Sequence, residues 1–198
     1  MYNDLAGKVA TSVVLATSVR RRAKLIGHWL ETCAALQQLQ NFHSLSAIVS
    51  GLGNASVIRL RHSREAMAKK HLRLLQEMGE LCSMTGSFKH LREAVLRGDP
   101  PKIPYLGVYL SDLTFIEDGN PNTVTRRRPG GGGEEAEYIF MAKRQLFHKM
   151  VSTIQTWQLV PYNLVPLEPV QQYLARLTII DDKQMYAESL LREPREEK

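Results

Sequence analysis

The residues best suited to chemistry lie at the end of an apolar run that extends from Pro104 to Pro121. The run turns acidic at Glu117 and Asp118, shortly after the hydroxyl of Thr114, and it breaks at Gly-Asn-Pro. Taken on its own, this pattern predicts either a buried strand or a buried helix, followed by a turn. In a helix, Thr114 and Asp118 would share one face because they are four residues apart. That face would present a hydroxyl and a carboxylate to a binding partner.

Other residue patterns that support catalysis or metal binding are missing from the sequence. The six histidines do not cluster, and there is no His-Glu-x-x-His, paired Cys-x-x-Cys or EF-hand pattern, so we expect no metal site. No Gly-x-Ser-x-Gly elbow is present for a serine nucleophile. The four glycines at 130–133 lack the following Lys-Ser/Thr of a phosphate-binding loop and lead into Glu134 and Glu135, which indicates a linker. We therefore predict a protein that needs no cofactor, performs no covalent chemistry and acts by binding.

Length and composition indicate one globular domain. The chain has 198 residues, of which 43% are hydrophobic and 23% are charged. A chain of this size buries roughly 70% of the surface that its unfolded form exposes. No apolar run approaches the ~18–20 residues of a membrane span, and the N-terminus has no signal-peptide pattern. The two cysteines, Cys33 and Cys82, lie in amphipathic helical patterns, which predicts reduced core residues of a cytosolic protein.

The formal net charge of +6 leaves more than one kind of partner open. Basic residues are concentrated at 20–22, 59–73 and 126–128. Aromatic residues are not interleaved with them as stacking platforms for bases would require, so we expect no nucleic-acid partner. A solvated basic face is the simplest interpretation, and attraction to an acidic protein or to an anionic membrane surface are the alternatives.

Helical periodicity dominates the first half of the sequence and predicts an all-α fold. Apolar residues recur at helical spacing from about residue 22 to residue 40, and Asn41 either ends this helix or caps the next one. Ser63 is predicted to cap a third helix. A fourth, short helix that carries Phe88 is predicted to end at Gly98, because Asp-Pro-Pro follows.

The second half contains one predicted irregular segment and further helices. Residues 122–133 include three arginines and four glycines and predict a flexible loop. Helical spacing returns from Phe140 to Trp157 and is stopped by Pro161, and a last helix is expected around residues 170–177. The tail from 181 to 198 is only weakly amphipathic. No stretch alternates convincingly over several strands.

Several separated blocks resemble, in the same order, the catalytic domain of Ras-type guanine-nucleotide exchange factors, the RasGEF domain. The run from Pro104 to Pro121 is the longest and resembles the segment that builds the catalytic hairpin of that family. Each block alone is a weak signal, whereas all of them in register are a strong one. The blocks are Arg22–Leu30 with Leu39–Phe42, Ala47–Leu52 with Ser56–Leu60, Pro104–Pro121, Phe140 and Lys143–Arg144 with Pro161–Tyr162, and Met185–Leu190 with Arg192–Arg195.

The resemblance implies an irregular helical domain of the RasGEF type with a projecting helical hairpin. Residues 1–180 would form the catalytic domain without its first helices, because family domains usually begin several helices before the landmark that Tyr2–Leu5 resembles. Residues 181–198 would form the segment that closes the same domain. Missing helices would leave apolar faces uncovered, which predicts lowered stability or further partners.

The function implied by the resemblance is nucleotide exchange on a Ras-family small GTPase, Ras-like or Rap-like. Such GTPases hold nucleotide with picomolar affinity, about −16 kcal/mol, so an exchange factor must bind the nucleotide-free form far better than the loaded form. In the family, a helical bowl grips the switch 2 region while the hairpin displaces switch 1. The alternative is a non-catalytic GTPase-binding or scaffold module derived from a truncated domain. A cytoplasmic location, with recruitment to membranes through the GTPase, is expected.

The resemblance also assigns candidate roles residue by residue. The catalytic candidates lie at the hairpin tip, where a side chain near the magnesium position and a carboxylate near the phosphate-binding loop would repel phosphate and compete for the lysine of the GTPase. They are Thr114, Glu117 and Asp118. The GTPase-binding candidates are Asn41, Phe88, Tyr105, Ser111 and Asp112. The candidates for hairpin support are Leu110, Leu113, Phe140, Lys143 and Arg144.

Structural alternatives exist for several of these residues. Asn41 could serve only as a helix cap, Phe88 and Tyr105 could pack in the core, and Glu117 could be a solvated charge. Thr114 stands where some members of the family carry a bulky apolar residue, so steric exclusion of magnesium is expected to be milder here. The sequence Tyr-Ile-Phe at 138–140 lacks the asparagine of the usual Ile-Asn-Phe, and the preceding loop is longer than usual, which raises the entropic cost of ordering the hairpin.

Overall fold

The computed structural model describes residues 1–129 and 134–195, which form two units. The core unit comprises residues 1–104 together with the described residues from 162 onward. The hairpin unit extends from Tyr105 to Pro161. Eleven helices and one two-stranded sheet occur in the described residues, which confirms the prediction of an all-α fold.

The core unit contains nine of these helices. They are α1 (Tyr2–Leu15), α2 (Val19–Gln38), α3 (Phe42–Leu52), α4 (Ala55–Ile58), α5 (Arg61–Glu65), α6 (Lys69–Leu81), α7 (Thr85–Arg97), α10 (Glu168–Arg176) and α11 (Asp182–Arg192). The hairpin unit contains α8 (Leu106–Gly119), β1 (Thr123–Arg127), β2 (Glu135–Ile139) and α9 (Met141–Gln158).

Helices α1, α2 and α3 form the centre of the core unit. Val13, Leu30 and Leu45, one from each helix, are completely buried within one apolar cluster. The close approach of α1 to α3 depends on Gly51, because a Cβ atom at this position would lie 2.5 Å from the carbonyl oxygen of Ala6. The apolar spacing that predicted α2 is therefore the spacing of its buried face, whereas the sequence analysis did not predict α1.

The boundary between α2 and α3 follows the sequence pattern. Helix α2 begins at Val19, three residues earlier than predicted, because Ser18 accepts a hydrogen bond from the backbone N–H of Arg21 at 3.2 Å. Asn41 caps α3, and its Oδ1 accepts from the backbone N–H of Ser44 at 3.0 Å. The capping alternative for Asn41 is thus confirmed.

The prediction that Ser63 caps a third helix is wrong. Ser63 lies inside the short helix α5, and the next long helix, α6, begins only at Lys69. The Ser63 side chain is fully buried, donates to Glu193 Oε1 at 2.6 Å and accepts from Arg22 Nε at 2.7 Å. It therefore serves a long-range polar cluster that local sequence spacing does not reveal.

Arg22, Ser63 and Glu193 form a polar cluster that we call the C-terminal clasp. Glu193 Oε1 lies 3.1 Å from Arg22 Nη2, and both carboxylate oxygens accept backbone N–H groups, from His62 and Ser63, at 3.0 Å. Arg59 adds bonds to the carbonyl oxygens of Ser189 at 2.5 Å and Glu193 at 2.8 Å. The clasp holds the end of α11 against α2, α4 and α5, so the weakly amphipathic tail is part of the core unit up to its last described residues.

In the hairpin unit, α8 and α9 run antiparallel to each other. Near the start of α8, the Tyr109 ring packs edge-on against Trp157 of α9, with centroids 5.4 Å apart. At the other end, Lys143 of α9 contacts the last turn of α8. An aromatic pair and a buried cation thus fix the two ends of the helical hairpin.

The prediction of an unstructured loop over residues 122–133 is wrong for residues 123–127. These residues form β1, which pairs antiparallel with β2 and aligns Thr123 with Ile139 and Arg127 with Glu135. Three consecutive β-branched residues, from Thr123 to Thr125, favour a strand, and the cross-strand pair Val124–Tyr138 supplies side-chain packing. The four glycines at 130–133 lie outside the described residues.

Both cysteines are free thiols in the core unit. Cys33 is completely buried, and this burial, with a smaller contribution from Cys82, raises its pKa to about 12. Burial also raises the pKa of the half-buried Cys82 to about 11. Neither thiol is therefore poised to form the reactive thiolate.

Candidate functional site

The acidic end of the apolar run is the solvent-exposed end of a helix, which resolves the choice between strand and helix. Thr114, Glu117 and Asp118 all lie in α8 and are exposed. The hydroxyl of Thr114 donates to the carbonyl oxygen of Leu110 at 3.1 Å. The Asp118 carboxylate has no ion-pair partner among the described residues, so its charge is available to a ligand.

The side chain of Lys143, which belongs to α9, binds the C-terminal end of α8. Its side chain is only 1% exposed, and its Nζ donates to the carbonyl oxygens of Glu117 at 2.9 Å and Asn120 at 3.0 Å, and to Asn122 Oδ1 at 2.9 Å. The last carbonyls of a helix lack intrahelical partners and carry partial negative charge, so a cation there is doubly favourable. Lys143 therefore holds the C-terminal turn of α8 in one position.

The same ammonium group also pairs with the side chain of Glu117, whose Oε1 lies 2.9 Å from Nζ. Glu117 is half exposed and is committed to this contact, whereas Asp118 next to it is not. The two neighbouring carboxylates therefore differ in their contacts. Glu117 contributes to the anchor of the hairpin, and Asp118 is the exposed acidic group.

Asn122 is the junction between α8, the β-hairpin and α9. Its carbonyl oxygen accepts from the backbone N–H of Phe140 at 2.9 Å, and its Oδ1 accepts from Arg144 Nη2 at 3.2 Å as well as from Lys143. Phe140 is half-buried at the N-cap of α9, and Arg144 is exposed. The three residues predicted to support the hairpin from α9 therefore meet at one asparagine, which the sequence had not indicated.

The two leucines predicted to support the hairpin differ in their surroundings. Leu113 is half-buried, whereas Leu110 is 62% exposed. Leu110 precedes Thr114 by one helical turn, so both lie on the exposed side of α8. Support of the hairpin by Leu110 is therefore not seen in the hairpin unit, and this leucine instead extends the exposed face that carries Thr114 and Asp118.

Tyr105, Ser111 and Asp112 lie along the first half of the same helix. Tyr105 precedes α8 and is half-buried, with its ring stacked so closely over Gly107 that a Cβ atom there would lie 2.6 Å from Cζ. Ser111 is exposed and donates to the carbonyl oxygen of Gly107 at 2.9 Å. Asp112 is half-buried. Gly107 is thus the residue that lets the Tyr105 ring fold onto the helix.

We expect Gly107→Ala to move the Tyr105 ring without unfolding the hairpin. The methyl group meets only the end of a movable side chain, and alanine is favoured over glycine in a helix by about 1 kcal/mol. The midpoint of thermal unfolding should remain unchanged or rise slightly. If Tyr105 contacts a GTPase, as the family resemblance implies, affinity for the nucleotide-free GTPase should fall about threefold to tenfold, as the loss of one aromatic contact predicts.

The matched control is Gly79→Ala in α6, where a Cβ atom meets nothing within 4 Å. This variant should change neither property by more than the small helix-propensity gain. If Gly107→Ala left GTPase affinity unchanged, Tyr105 would not be part of the binding surface.

Asn41 and Phe88 belong to the core unit. The Asn41 cap uses Oδ1, so Nδ2 is the atom through which this half-buried side chain could bind a partner. Phe88 is half-buried and follows Gly86 and Ser87 in a turn where all three residues have left-handed backbone angles, with φ of 59°, 55° and 62°. Such angles cost roughly 1–2 kcal/mol for each residue with a Cβ. Phe88 is not part of the apolar core cluster.

Two classes of site are missing from the part of the chain that the structure describes. Within residues 1–129 and 134–195, no group of three or more histidine, cysteine, aspartate or glutamate side chains is arranged to hold a metal ion. In the same residues, no helix combines the length and the apolar character that a membrane crossing requires.

Comparison with known proteins identifies the family of this helical framework. A family model of the RasGEF domain matches residues 1–145, which extend from α1 to the first turns of α9 and include the acidic end of α8. The chain belongs to the RasGEF family. The resemblance in the separated sequence blocks is thereby confirmed.

Curated relatives of this RasGEF chain match over almost its whole length. It is 37% identical over 202 residues to Ras guanine nucleotide exchange factor A of Dictyostelium discoideum, which covers 98% of this chain and 33% of that protein. It is 33% identical to Ras guanine nucleotide exchange factor K of the same organism and 33% identical to Ras-specific guanine nucleotide-releasing factor 2 of Danio rerio. These matches cover 98% of the chain but 12% and 15% of the two relatives. The RasGEF chain thus spans a third or less of the relatives it resembles.

Proposed function

We propose that this RasGEF chain promotes the release of GDP from a Ras-family small GTPase, of the Ras or Rap type. Membership in the RasGEF family and the names of the relatives, which are Ras exchange and releasing factors, support this proposal. The single observation that carries it is the exposed acidic end of α8, where Asp118 has no ion-pair partner in the described part of the chain and the buried Lys143 holds the helix end.

In the proposed mechanism, the hairpin end acts on the phosphate side of the nucleotide site. A carboxylate close to the phosphates repels them, and it competes for the lysine of the GTPase that would otherwise bind them. Asp118 is suited to this role because no cation within residues 1–129 and 134–195 pairs with it. Thr114 lies on the same face one turn earlier and would occupy space near the magnesium position, with less bulk than a large apolar side chain.

Rigidity of the hairpin end is part of this mechanism. A group that must be ordered on binding consumes free energy that would otherwise favour the complex. Lys143 donates three hydrogen bonds to Glu117, Asn120 and Asn122 and pairs with the Glu117 carboxylate, so it orders the last turn of α8 in advance. More of the free energy of binding is then available to displace switch 1. The proposed contacts to the switch 2 side are Asn41, Phe88, Tyr105, Ser111 and Asp112.

Thermodynamic linkage sets the requirement for the whole cycle. If the chain weakens nucleotide binding by a given factor, the nucleotide weakens binding of the chain by the same factor. The chain must therefore bind the nucleotide-free GTPase tightly and release it when nucleotide returns. Because Ras-family GTPases act at membranes in this proposal, the cytoplasmic chain would be recruited there through its GTPase.

The double variant Thr114→Ala/Asp118→Ala tests the proposed role of the hairpin end. Both side chains are exposed, so we expect the free energy of unfolding to change by no more than about 0.5 kcal/mol. The rate of GDP release should fall at least about tenfold, which corresponds to about 1.4 kcal/mol of lost interaction. Release is measured with a fluorescent GDP analogue bound to the GTPase.

Thr125→Ala/Glu135→Ala is the matched control, because it removes the same two functional groups from exposed positions of β1 and β2. It should leave release within about twofold of the unaltered chain. Equal rates for the two double variants would show that Thr114 and Asp118 are not the working groups. Binding to the nucleotide-free GTPase without any acceleration would identify a non-catalytic GTPase-binding module instead.

A further inference from the structure

A strongly basic surface lies on the core unit and contains none of the residues proposed to contact the GTPase. It consists of exposed side chains from the first half of α2, from α5 and from the first turns of α6, and we call it the basic face. Its members are Arg20, Lys24, Arg61, Arg64, Lys69 and Arg73. Two of the three basic segments singled out in the sequence therefore contribute to the basic face.

The basic face holds most of the charge of the chain. Lys70 and Glu31, which lie among these residues, neutralise each other, with Nζ 2.6 Å from Oε1. Against the six basic side chains stands one further acidic residue, Glu65, which leaves a local net charge of +5. The formal net charge of the whole chain is +6. The rest of the molecule is thus nearly balanced.

Packing of the three helices brings these charges together. Helices α5 and α6 both pack on α2. Glu31 of α2 contacts Lys70 and also His71 Nε2 at 2.9 Å, which places the first turn of α6 beside the middle of α2. Arg20 and Lys24 precede Glu31 at helical spacing on the same side of α2. The acidic residues of α6, Glu77 and Glu80, lie in its second half, so they bound the basic face.

The placement of these charges opposes the preferences of isolated helices. None of α2, α5 and α6 has an acidic residue in its first turn. Basic residues instead occupy these first turns, and α6 has no side-chain cap. A helix N-terminus carries partial positive charge and favours anions, so cations there are unfavourable in the isolated chain. Residues that violate a local rule without a compensating contact indicate a role outside folding.

We propose that the basic face is a docking surface for an anionic phospholipid membrane. Polybasic segments bind such surfaces through summed electrostatic attraction, without a shaped pocket. A nucleic-acid surface is disfavoured because no Phe, Tyr or Trp lies among residues 59–73 to stack on bases. The attraction acts within a Debye length of about 8 Å, which the exposed ends of long Lys and Arg side chains reach.

Direct binding of the basic face to a membrane is distinct from nucleotide exchange and does not require the GTPase. If the proposed exchange activity is also correct, membrane docking would raise the local concentration of the chain around a membrane-attached GTPase. Exchange on a GTPase free in solution would not depend on the basic face. The two proposals can therefore fail separately.

The test is co-sedimentation of the full chain with vesicles. Phosphatidylcholine vesicles with about 30% phosphatidylserine are compared with pure phosphatidylcholine vesicles, at about 0.1 M salt. The variant Arg20→Glu/Lys24→Glu/Arg61→Glu/Lys69→Glu reverses four charges of the basic face. The control Lys89→Glu/Arg97→Glu/Arg176→Glu/Lys183→Glu makes the same change in net charge at exposed positions of α7, α10 and α11.

We expect the unaltered chain to bind only the anionic vesicles, and to lose this binding as salt is raised. Each basic residue near such a surface contributes about a fivefold factor in binding, so the basic-face variant should bind at least about a hundredfold more weakly. The control variant should stay within about tenfold, because its residues do not meet the membrane. Circular dichroism and thermal unfolding confirm that both variants fold.

Three results would overturn the proposal. They are failure of the unaltered chain to bind anionic vesicles, equal loss of binding in the two variants, and tight salt-sensitive binding of a DNA or RNA duplex in place of vesicles. Release of GDP from a GTPase in solution should be the same for the basic-face variant and the unaltered chain. A loss of release in solution would show that the face acts on the GTPase and not on a membrane.

Discussion

Lys143→Met is expected to lower the rate of GDP release at least about tenfold while leaving the core unit folded. Methionine matches the lysine side chain as far as Cε but lacks the ammonium group. The carbonyl oxygens of Glu117 and Asn120, and Asn122 Oδ1, then lose a donor at the end of α8. Glu117 is half exposed, so water replaces much of the lost ion pair, and the main cost is the loss of a charged donor to these oxygens, about 1.5–3 kcal/mol.

We expect the substitution to destabilise the last turn of α8 and not the apolar core. The last carbonyl oxygens of α8 would then accept hydrogen bonds from water instead of from Lys143. Glu117 would lose its ion-pair partner, which would leave two unpaired carboxylates next to each other at Glu117 and Asp118. The ordered acidic tip that carries the proposed mechanism would thus be replaced by a mobile one, whose ordering on binding costs entropy. Hydrogen exchange of the amides in the last turn of α8 should speed up in parallel with the loss of activity.

Lys149→Met is the control, because it makes the same substitution at an exposed lysine of the same helix. It should change the release rate by no more than about twofold. A Lys143→Met variant that exchanges nucleotide as fast as the unaltered chain would show that the anchored helix end is not needed for exchange.

Glu193→Gln is expected to lower the free energy of unfolding by about 3–5 kcal/mol, because it leaves Arg22 as a buried cation without a counter-charge. Arg22 and Glu193 are 1% and 5% exposed, so water compensates little for the lost pair. Urea denaturation measures the change, with the midpoint shifting at constant slope. Since the clasp closes α11 onto α2, α4 and α5, early exposure of α11 to proteolysis should accompany it.

Glu188→Gln provides the comparison within the same helix. Glu188 pairs with Arg192 at 2.7 Å, but both side chains are 24% exposed and lie one turn apart. Pairs of this kind contribute at most about 1 kcal/mol. Equal effects of the two substitutions would contradict the view that the clasp is the buried attachment of the C-terminal helix.

The clasp also predicts how stability depends on pH. Burial by itself raises the pKa of Glu193, but hydrogen bonds from Ser63, Arg22 and the backbone N–H groups of His62 and Ser63 outweigh it and hold the pKa below its ordinary value of 4.5. A carboxyl group whose pKa is lowered by folding stabilises the folded state above that ordinary value, and the contribution is lost as the pH falls through the lowered pKa. The free energy of unfolding should therefore fall below about pH 4.5, and less steeply in Glu193→Gln.

Sequence spacing was sufficient wherever a residue acts on its own helix or on the next turn. The apolar stripe of α2 and the helix end at Gly98 depend on neighbours within a few positions, and both were predicted correctly. The cap at Asn41 was one of the two alternatives that the sequence left open. Spacing alone could not show that the run from Pro104 to Pro121 is a helix, because a short apolar run is compatible with the periodicity of a helix and with that of a strand. The RasGEF resemblance supplied that choice.

Sequence spacing failed where a residue acts across the chain. Ser63 has the type of a helix cap, yet its partners Arg22 and Glu193 are 41 and 130 positions away. The strand at 123–127 depends on pairing with 135–139, across a segment whose glycines suggested a loop. Lys143 was expected to support the hairpin, but its acceptors in the last turn of α8 and in the residues just after it lie 21 to 26 positions earlier, and only the folded hairpin brings them together.

The most direct test of the proposed activity is the release of a fluorescent GDP analogue from a panel of Ras-type and Rap-type GTPases, with the unaltered chain present in substoichiometric amounts. Nucleotide exchange predicts that at least one GTPase releases GDP at least about tenfold faster than it does alone, a difference of about 1.4 kcal/mol in barrier. It also predicts repeated turnover and loss of the acceleration in Lys143→Met. Unchanged release from every GTPase, with or without stable binding to the nucleotide-free form, would contradict the proposal.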